Sequence, residues 1–379
     1  MAKLGEIFTL QMGKTPSRAN PRYWINESNP WVSIADLSSY NKYVDKTKET
    51  ISDLAVSESG IKEIPENTVI MSFKLSIGKV AITRTPVYTN EAIMAFIPND
   101  RTKVFPDYLF YLFSAQDWNK CTNRAVMGAT LNKATLSELD IFLPSIAEQM
   151  SISNILDRIA MIIQLRQNQL KKLDKLVKSR FVEWFGCVPE NEKVTLADIC
   201  TIITDGTHQP PKFVSTGIPF LFVSNIVTNE IRYDAERFIS EETYAELIKR
   251  TPIDIGDILL STVGSYGHPA VVKNDRPFCF QRHIAYLKPK KTIVDSIYLH
   301  SAILSADVQK QIDKGVKGVA QKTLNLSEIR KIILPLPPIE LQNQFAAFVT
   351  QIDKSKLAVQ KSLEQLETLK KSLMQKYFG

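Results

Sequence analysis

The sequence predicts an α+β protein built twice over: two β-rich α/β domains, related by internal duplication and separated by two long helices. Three observations lead there. Residues 175–186 and 368–379 superpose at an offset of 193 with five of twelve positions identical, among them the Phe185/Phe378 and Gly186/Gly379 pairs. Downstream of Pro144 and of Pro338, apolar residues recur on alternating steps of three and four for about five heptads each. The rest of the chain carries short β-rich runs such as "NTVIMSF" and "GDILLSTV", broken by Gly, Pro, Asn and Asp.

The duplication extends beyond the helix ends. "LPSIAEQ" (143–149) lies over "LPPIELQ" (336–342), and "PWVSIADL" (30–37) over "PFLFVSNI" (219–226). "VIMSFKLSIGKVA" (69–81) lies over "ILLSTVGSYGHPA" (258–270), and "TNEAI" (89–93) over "FQRHI" (280–284). A unit of half the chain excludes solenoids and propellers, whose repeats run to roughly 20–50 residues. Matched framework positions with differing residues between them imply one scaffold carrying two different contact surfaces.

In chain order, residues 1–143 form the first domain, with one helical stretch near Pro106–Lys120. Residues 144–186 form the first long helix, opened by an S-x-x-E capping box of Ser145 and Glu148. A polar linker, 187–193, leads to the second domain, 194–336, helical near Asp295–Lys314. Residues 337–379 form the second long helix. Its seam of Val349, Ile352, Val359, Leu363, Leu366, Leu373 and Tyr377 matches Leu156, Ile159, Ile163, Leu170, Leu173, Val177 and Trp184 of the first. The basic interruptions do not coincide: Arg166 and Arg180 align with Val359 and Leu373, and Lys356 and Lys370 with Ile163 and Val177. Long basic side chains can lie along an apolar seam with their heads in water, so the two helices are expected to pair. The alternative is that each packs on its own domain, but a helix of this length overhangs an ordinary domain and suits a spacer.

Composition narrows the function classes. The chain has 379 residues, 44% of them hydrophobic, and a formal net charge of +7. The isoelectric point is near 9.0, which favours polyanionic partners without demanding them. No apolar run reaches 18 residues, so a soluble, cytoplasmic protein is expected. Cys121, Cys187, Cys200 and Cys279 have no C-x-x-C spacing, and His208, His268, His283 and His300 no H-x3–5-H spacing, so reduced thiols and no metal site are expected. "GKT" at 13–15 lacks the earlier glycine of a phosphate-binding loop, since Phe8 stands there. "QPPK" (209–212) lacks the residues that would hold an amine in an amino-methyltransferase, and G-x-G-x-x-G, G-x-S-x-G and H-E-x-x-H are absent. Catalysis by this chain alone is not expected, and no cofactor is assigned to it.

With its "KLGEIFTLQMGKTPS…PWVSIADL" opening, "LP-x-I-x-x-Q" helix starts, "FG" ends and repetition of all three, the sequence resembles the specificity subunit of type I restriction-modification enzymes. The second copy departs from the usual "EQ" at its helix start, reading Glu340-Leu341-Gln342. The resemblance implies two target-recognition domains, each reading one half of a bipartite asymmetric DNA site, with the helices as an antiparallel coiled coil that measures the unread spacer. It implies double-stranded DNA, two methyltransferase subunits and ATP-driven restriction subunits as partners. S-adenosylmethionine and ATP would be bound by those partners, which would methylate adenine or cut.

Reading DNA calls for Lys and Arg on phosphates, and polar or cationic side chains on base edges. In the first domain the candidates are Lys14, Thr15, Ser17, Arg18 and Arg22, with Lys74, Ser76 and Lys79 in the "SFKLSIGK" turn. In the second they are Thr207, His208, Gln209 and Lys212, with Ser265, Tyr266 and His268 in the matching turn, then Arg282, Lys317 and Lys322. Two rival readings remain at this stage: a coiled-coil scaffold that binds other proteins, and a methyltransferase without recognisable motifs. The missing cofactor loop counts against the second, and salt-dependent DNA binding distinguishes the first.

Overall fold

The computed structural model describes residues 1–25, 29–74, 76–118, 123–125, 128–189, 192–318 and 322–379; Cys121 and part of the "KGVKGVAQK" segment lie outside them. The chain divides into two compact units, one of residues 1–166 with 362–379 and the other of residues 167–361.

In the first unit a four-stranded antiparallel sheet takes the order Phe8–Met12, Ile93–Pro98, Val69–Ser72, Val80–Ile82. The strand Val69–Ser72 is buried along its whole length, because its two faces serve different cores. Val69 and Met71 join Phe96, Leu109 and Phe113 beneath the helix Pro106–Ala115. Ile70 joins Ala81, Ile93, Ala95 and Val32 on the other face. There a three-stranded sheet follows the order Glu49–Ile51, Asn29–Val32, Tyr88–Thr89, its last pairing parallel. Ala2–Lys3 closes the domain by pairing with Asp140–Ile141.

The second unit repeats this strand for strand. Its four-stranded sheet runs Cys200–Asp205, Ile284–Pro289, Ile258–Ser261, Pro269–Val271. Its three-stranded sheet runs Phe238–Ile239, Ile218–Leu221, Cys279–Phe280, again with the last pairing parallel. Lys193–Thr195 pairs with Ile333–Pro335 as the terminal ribbon does in the first unit. The fold class is therefore α+β, with two β-rich domains of one topology. The helical stretch expected over 295–314 is two helices, Ser296–Ile303 and Ala306–Gly315. Ser305 breaks it: its hydroxyl accepts from the Val308 amide and starts the second helix as an N-cap.

The long helices span Ile146–Phe185 and Ile339–Phe378, each about 60 Å at 1.5 Å per residue. Ser145 and Glu148 form the expected capping box, with the Ser145 amide 3.0 Å from Glu148 Oε2. One turn on, each helix is locked to a domain by a fully buried glutamine. Gln149 Oε1 accepts from the Phe105 amide at 2.9 Å, and its Nε2 donates to the Lys103 and Pro144 carbonyls. Gln342 makes the same three bonds, to the Asp295 amide and the Ile293 and Pro337 carbonyls. The shared glutamine of "LP-x-I-x-x-Q" is thus the residue that satisfies the backbone where domain becomes helix.

Every position of the two seams is buried or half-buried. In the second unit the helices run antiparallel: Asp174 pairs with Lys356 at 2.6 Å, and Phe181 packs on Phe345 at 5.6 Å between centroids. Lys356 is thus neutralised by the opposite helix, and Arg180 lies over the Phe348 ring at 5.6 Å. In the first unit Ile163 faces Glu367, Lys370 and Met374 across a groove of about 480 Å³. The repeated "FG" ends have matching seats. Phe185 packs on Tyr298 at 4.9 Å in the second unit, and Phe378 on Tyr108 at 5.3 Å in the first. Each helix therefore finishes against the counterpart of the domain it left.

Candidate nucleic-acid interface

Strand order and register decide which loops can act together. Met12 pairs with Met94 and Ser72 with Ile93, so the loops after Met12, after Ser72 and before Ile93 leave one end of the first large sheet. In the second domain Asp205 pairs with Ala285 and Ser261 with Ile284, which gathers the corresponding loops.

The loops are fastened alike. Gly13 donates its amide to the Ile93 carbonyl (3.1 Å) and Gly206 to that of Ile284 (3.2 Å). A side chain at either glycine would collide with backbone, a Cβ lying 2.3 Å from the Asn90 carbonyl in one and from the Phe280 carbonyl in the other. In the hairpins, Ser72 and Ser261 are buried, and each hydroxyl accepts a backbone amide from across the turn, that of Lys79 at 3.0 Å and of His268 at 2.9 Å. These shared bonds hold the stems while the tips differ.

The first site brings together Lys14, Thr15, Lys74, Ser76 and Lys79. Ser76 and Lys79 are exposed, and Lys74 lies 5.2 Å from the centre of the Phe73 ring. The Lys14 ammonium is engaged by the Ser59 carbonyl at the end of the helix Asp53–Ser59, so this lysine also caps a helix. Thr15 accepts from the Asn90 amide nitrogen at 3.1 Å and donates to the Glu91 carboxylate. Ser17, Arg18 and Arg22 are not part of this cluster, because residues 17–24 fold over the small sheet. Trp24 donates its indole N–H to the Ser17 carbonyl, and Ser52 its hydroxyl to that of Arg22. The Arg18 guanidinium lies 3.5 Å from the Trp24 ring centre and pairs with Glu49, which pulls the Glu49 carboxyl below its ordinary range.

The second site brings together Thr207, His208, Gln209, Ser265, Tyr266, His268, Arg282, Lys317 and Lys322. Thr207 bridges to Gln281, and its carbonyl accepts the Arg282 amide at 3.0 Å. Asp205 binds His208 at 2.9 Å and Arg250 at 2.5 Å, and so places two cationic or donor groups beside the loop. Val263 and Lys317 each bridge to Thr323, and the Gly264 amide donates to the Lys322 carbonyl at 3.2 Å, which sets Lys317 and Lys322 beside the hairpin. Tyr266 spends its hydroxyl on Asp313 at 3.0 Å, and that hydrogen bond raises the phenol pKa. His268 meets the Asn229 side chain at 3.1 Å, and desolvation lowers its pKa, so it presents a neutral ring near pH 7. Lys212 lies outside the cluster, next to Phe213, which packs on Phe220 in the smaller core.

Glu91, Asp205, Arg250 and Asn229 belong to these sites and escape a sequence search restricted to cationic and small polar residues. Glu91 was visible in the "TNEAI"/"FQRHI" match, where it stands opposite Arg282. Among the described residues no group of three or more His, Cys, Asp or Glu side chains is placed to hold a metal ion. Burial pushes the Cys200 and Cys279 thiols up to about 12, which leaves both chemically quiet. Among the described residues no helix is long and apolar enough to cross a membrane.

Comparison with known proteins follows the same duplication. The family described as type I restriction modification DNA specificity domain matches residues 1–175 and again 189–368. The chain is 25% identical over 402 aligned residues to the type I restriction enzyme MjaIX specificity subunit of Methanocaldococcus jannaschii, covering 99% of this chain and 91% of that one. Among solved structures, the type I restriction-modification S subunit from M. genitalium is similar in fold (TM-score 0.59, 15% identity), covering 100% of this chain and 95% of that one. A chain from a type I restriction-modification system, solved to explain complex assembly and conformational transition, has a TM-score of 0.63 at 18% identity, covering 100% of this chain and 96% of that one.

Proposed function

This chain belongs to the type I restriction modification DNA specificity family, and on that premise we propose that it is the DNA-reading subunit of a type I restriction-modification complex. Each domain, 1–143 and 194–336, reads one half of a bipartite, asymmetric site. The observation that carries this reading is the pair of loop clusters at equivalent ends of two equivalent sheets, which share the glycine and serine bonds of their stems and differ at the tips. Matching stems aim both clusters the same way within their domains, and different tips present different hydrogen-bonding patterns to base edges.

The chain itself is a non-catalytic subunit. Adenine methylation and restriction are carried out by partners: two methyltransferase subunits holding S-adenosylmethionine, and ATP-driven restriction subunits where the complex includes them. It works in the cytoplasm, where the DNA is. Lys74, Lys79, Lys317 and Lys322 supply phosphate contacts, and Thr15, Ser76, His208, Gln209, Ser265 and His268 face bases.

The test is co-expression with a type I methyltransferase subunit from the same source, followed by mapping of methyladenine across the host DNA. A split motif of fixed spacing, lost when this chain is omitted, is the expected result. An active, chain-bound methyltransferase that methylates without a motif would refute the proposal.

A further inference from the structure

The duplication makes Glu91 and Arg282 strictly comparable. Each is the first central residue of a turn closed by the same bond, from Ile93 to the Asn90 carbonyl (3.0 Å) and from Ile284 to the Gln281 carbonyl (3.1 Å). Each turn is pinned from behind, by the Asn90 amide on Val32 (3.0 Å) and by the Gln281 amide on Leu221 (3.1 Å). Both side chains are exposed at the sheet end where the candidate loops gather. One scaffold position thus carries a carboxylate in one domain and a guanidinium in the other.

The carboxylate is the more telling of the two. It lies at the sheet end from which the loops carrying Lys14, Lys74 and Lys79 leave, on a surface that must approach phosphates, where an acid is repelled unless it meets a donor. It is also held in place, since Thr15 donates to one of its oxygens and is itself held by Asn90. Donors at the floor of the major groove are base amines. The natural partner of an acidic side chain there is the N4 amine of cytosine. At the equivalent point Arg282 uses its Nε toward His283 at 3.3 Å, which leaves the two terminal nitrogens as a fork that fits guanine O6 and N7.

We propose that Glu91 and Arg282 read the corresponding base pair of the two half-sites with opposite chemistry, Glu91 accepting from a cytosine amine and Arg282 donating to a guanine. The two half-sites then both require a G·C pair at this point, in opposite strand orientation relative to the domain that reads it. The inference rests on the DNA-reading function proposed above.

The test uses the complex with its methyltransferase partner and duplexes in which each base pair of the mapped site is changed singly. Glu91→Gln keeps an oxygen for Thr15 and brings in an amide that suits adenine. It should lower the preference for cytosine at one position of one half-site by about tenfold or more, with the other half-site unchanged. Arg282→Lys keeps the charge and loses the fork. It should lower the preference for guanine at one position of the other half-site by a similar factor while overall affinity is largely kept. Unchanged discrimination in either variant, or an even loss across all duplexes at an unchanged melting temperature, overturns the assignment. So does a wild-type half-site that requires no G·C pair. A wild-type complex with no split motif would instead refute the underlying functional reading.

Discussion

The two places where a helix ends against a domain are built on one plan with different materials. In the second unit Phe185 is 3% exposed and touches Phe181, Tyr298 and Phe345 at centroid distances of 4.9–5.4 Å. In the first unit Phe378 is half-buried on Tyr108, and Met374 takes the place that Phe181 holds in the repeat. The same domain also grips the early turns of the other long helix, Ile146–Phe185, through charge: Lys42 is shared between Asp107 and Asp157, Tyr43 donates to Asp107 at 2.6 Å, and Tyr111 donates to Asp157 at 2.6 Å. One seat buries its ring among three aromatic neighbours, and the other leaves its ring half-buried on one, beside a charged network that grips the neighbouring helix. The duplication conserved where the contact is made, and left open what makes it.

The sharpest way to break this comparison is to remove both phenylalanines in turn. Phe185→Ala should cost about 3–5 kcal/mol in denaturant unfolding, as for a fully buried ring, and Phe378→Ala about 1–2 kcal/mol because much of its surface already meets water. Hydrogen exchange resolved by residue should place each loss in the unit that holds the ring. Equal losses would mean that the two seats carry the same load.

A second measurement asks what the halves share. Gln149→Ala and Gln342→Ala should each cost about 1–3 kcal/mol, since each removes a fully buried side chain that satisfies one amide and two carbonyls. The two values should agree within error; a large difference would show that the start of one helix is held by something besides its glutamine.

The smallest effect concerns pH and separates the halves by composition, because all four histidines lie in the second. His300 faces the Asn229 and Pro269 carbonyls at 3.1 Å, and desolvation lowers its pKa from 6.5; His268 and His283 are shifted the same way. Well above pH 6.5 these rings are neutral in folded and unfolded chains alike and contribute nothing to pH dependence. Below it the unfolded chain takes up protons first, so the second unit should lose stability as pH falls through that range. Exchange rates compared at pH 7.5 and 5.5 after correction for intrinsic rates should show the second unit weakening more. His300→Gln should reduce the difference.

Much of this was legible in the residues. The repeated "FG" and "LP-x-I-x-x-Q" phrases are interface positions, where one geometry demands one side chain, so they survive divergence and can be read. The seams were legible because helix pairing needs only a periodicity. The break at Ser305 was hidden, since "SAILSADVQK" keeps its apolar spacing through the cap and only the serine hydroxyl, with its choice of backbone partner, ends the first helix. Within the sites, the stems could be found by matching Ser72 to Ser261 and Gly78 to Gly267. The diversion of Arg18 onto Trp24 and Glu49, and of Tyr266 onto Asp313, could not, because those partners are distant in sequence and belong to each domain alone.

The two hairpin stems also have a practical consequence. Because a buried serine hydroxyl and two backbone bonds close each turn, residues at the tips contribute little to holding it shut. A combinatorial library varied at 74 and 76 in one hairpin, and at 265 in the other, should yield mostly folded members. A selection imposed on it would then sort variants by what they bind rather than by whether they survive.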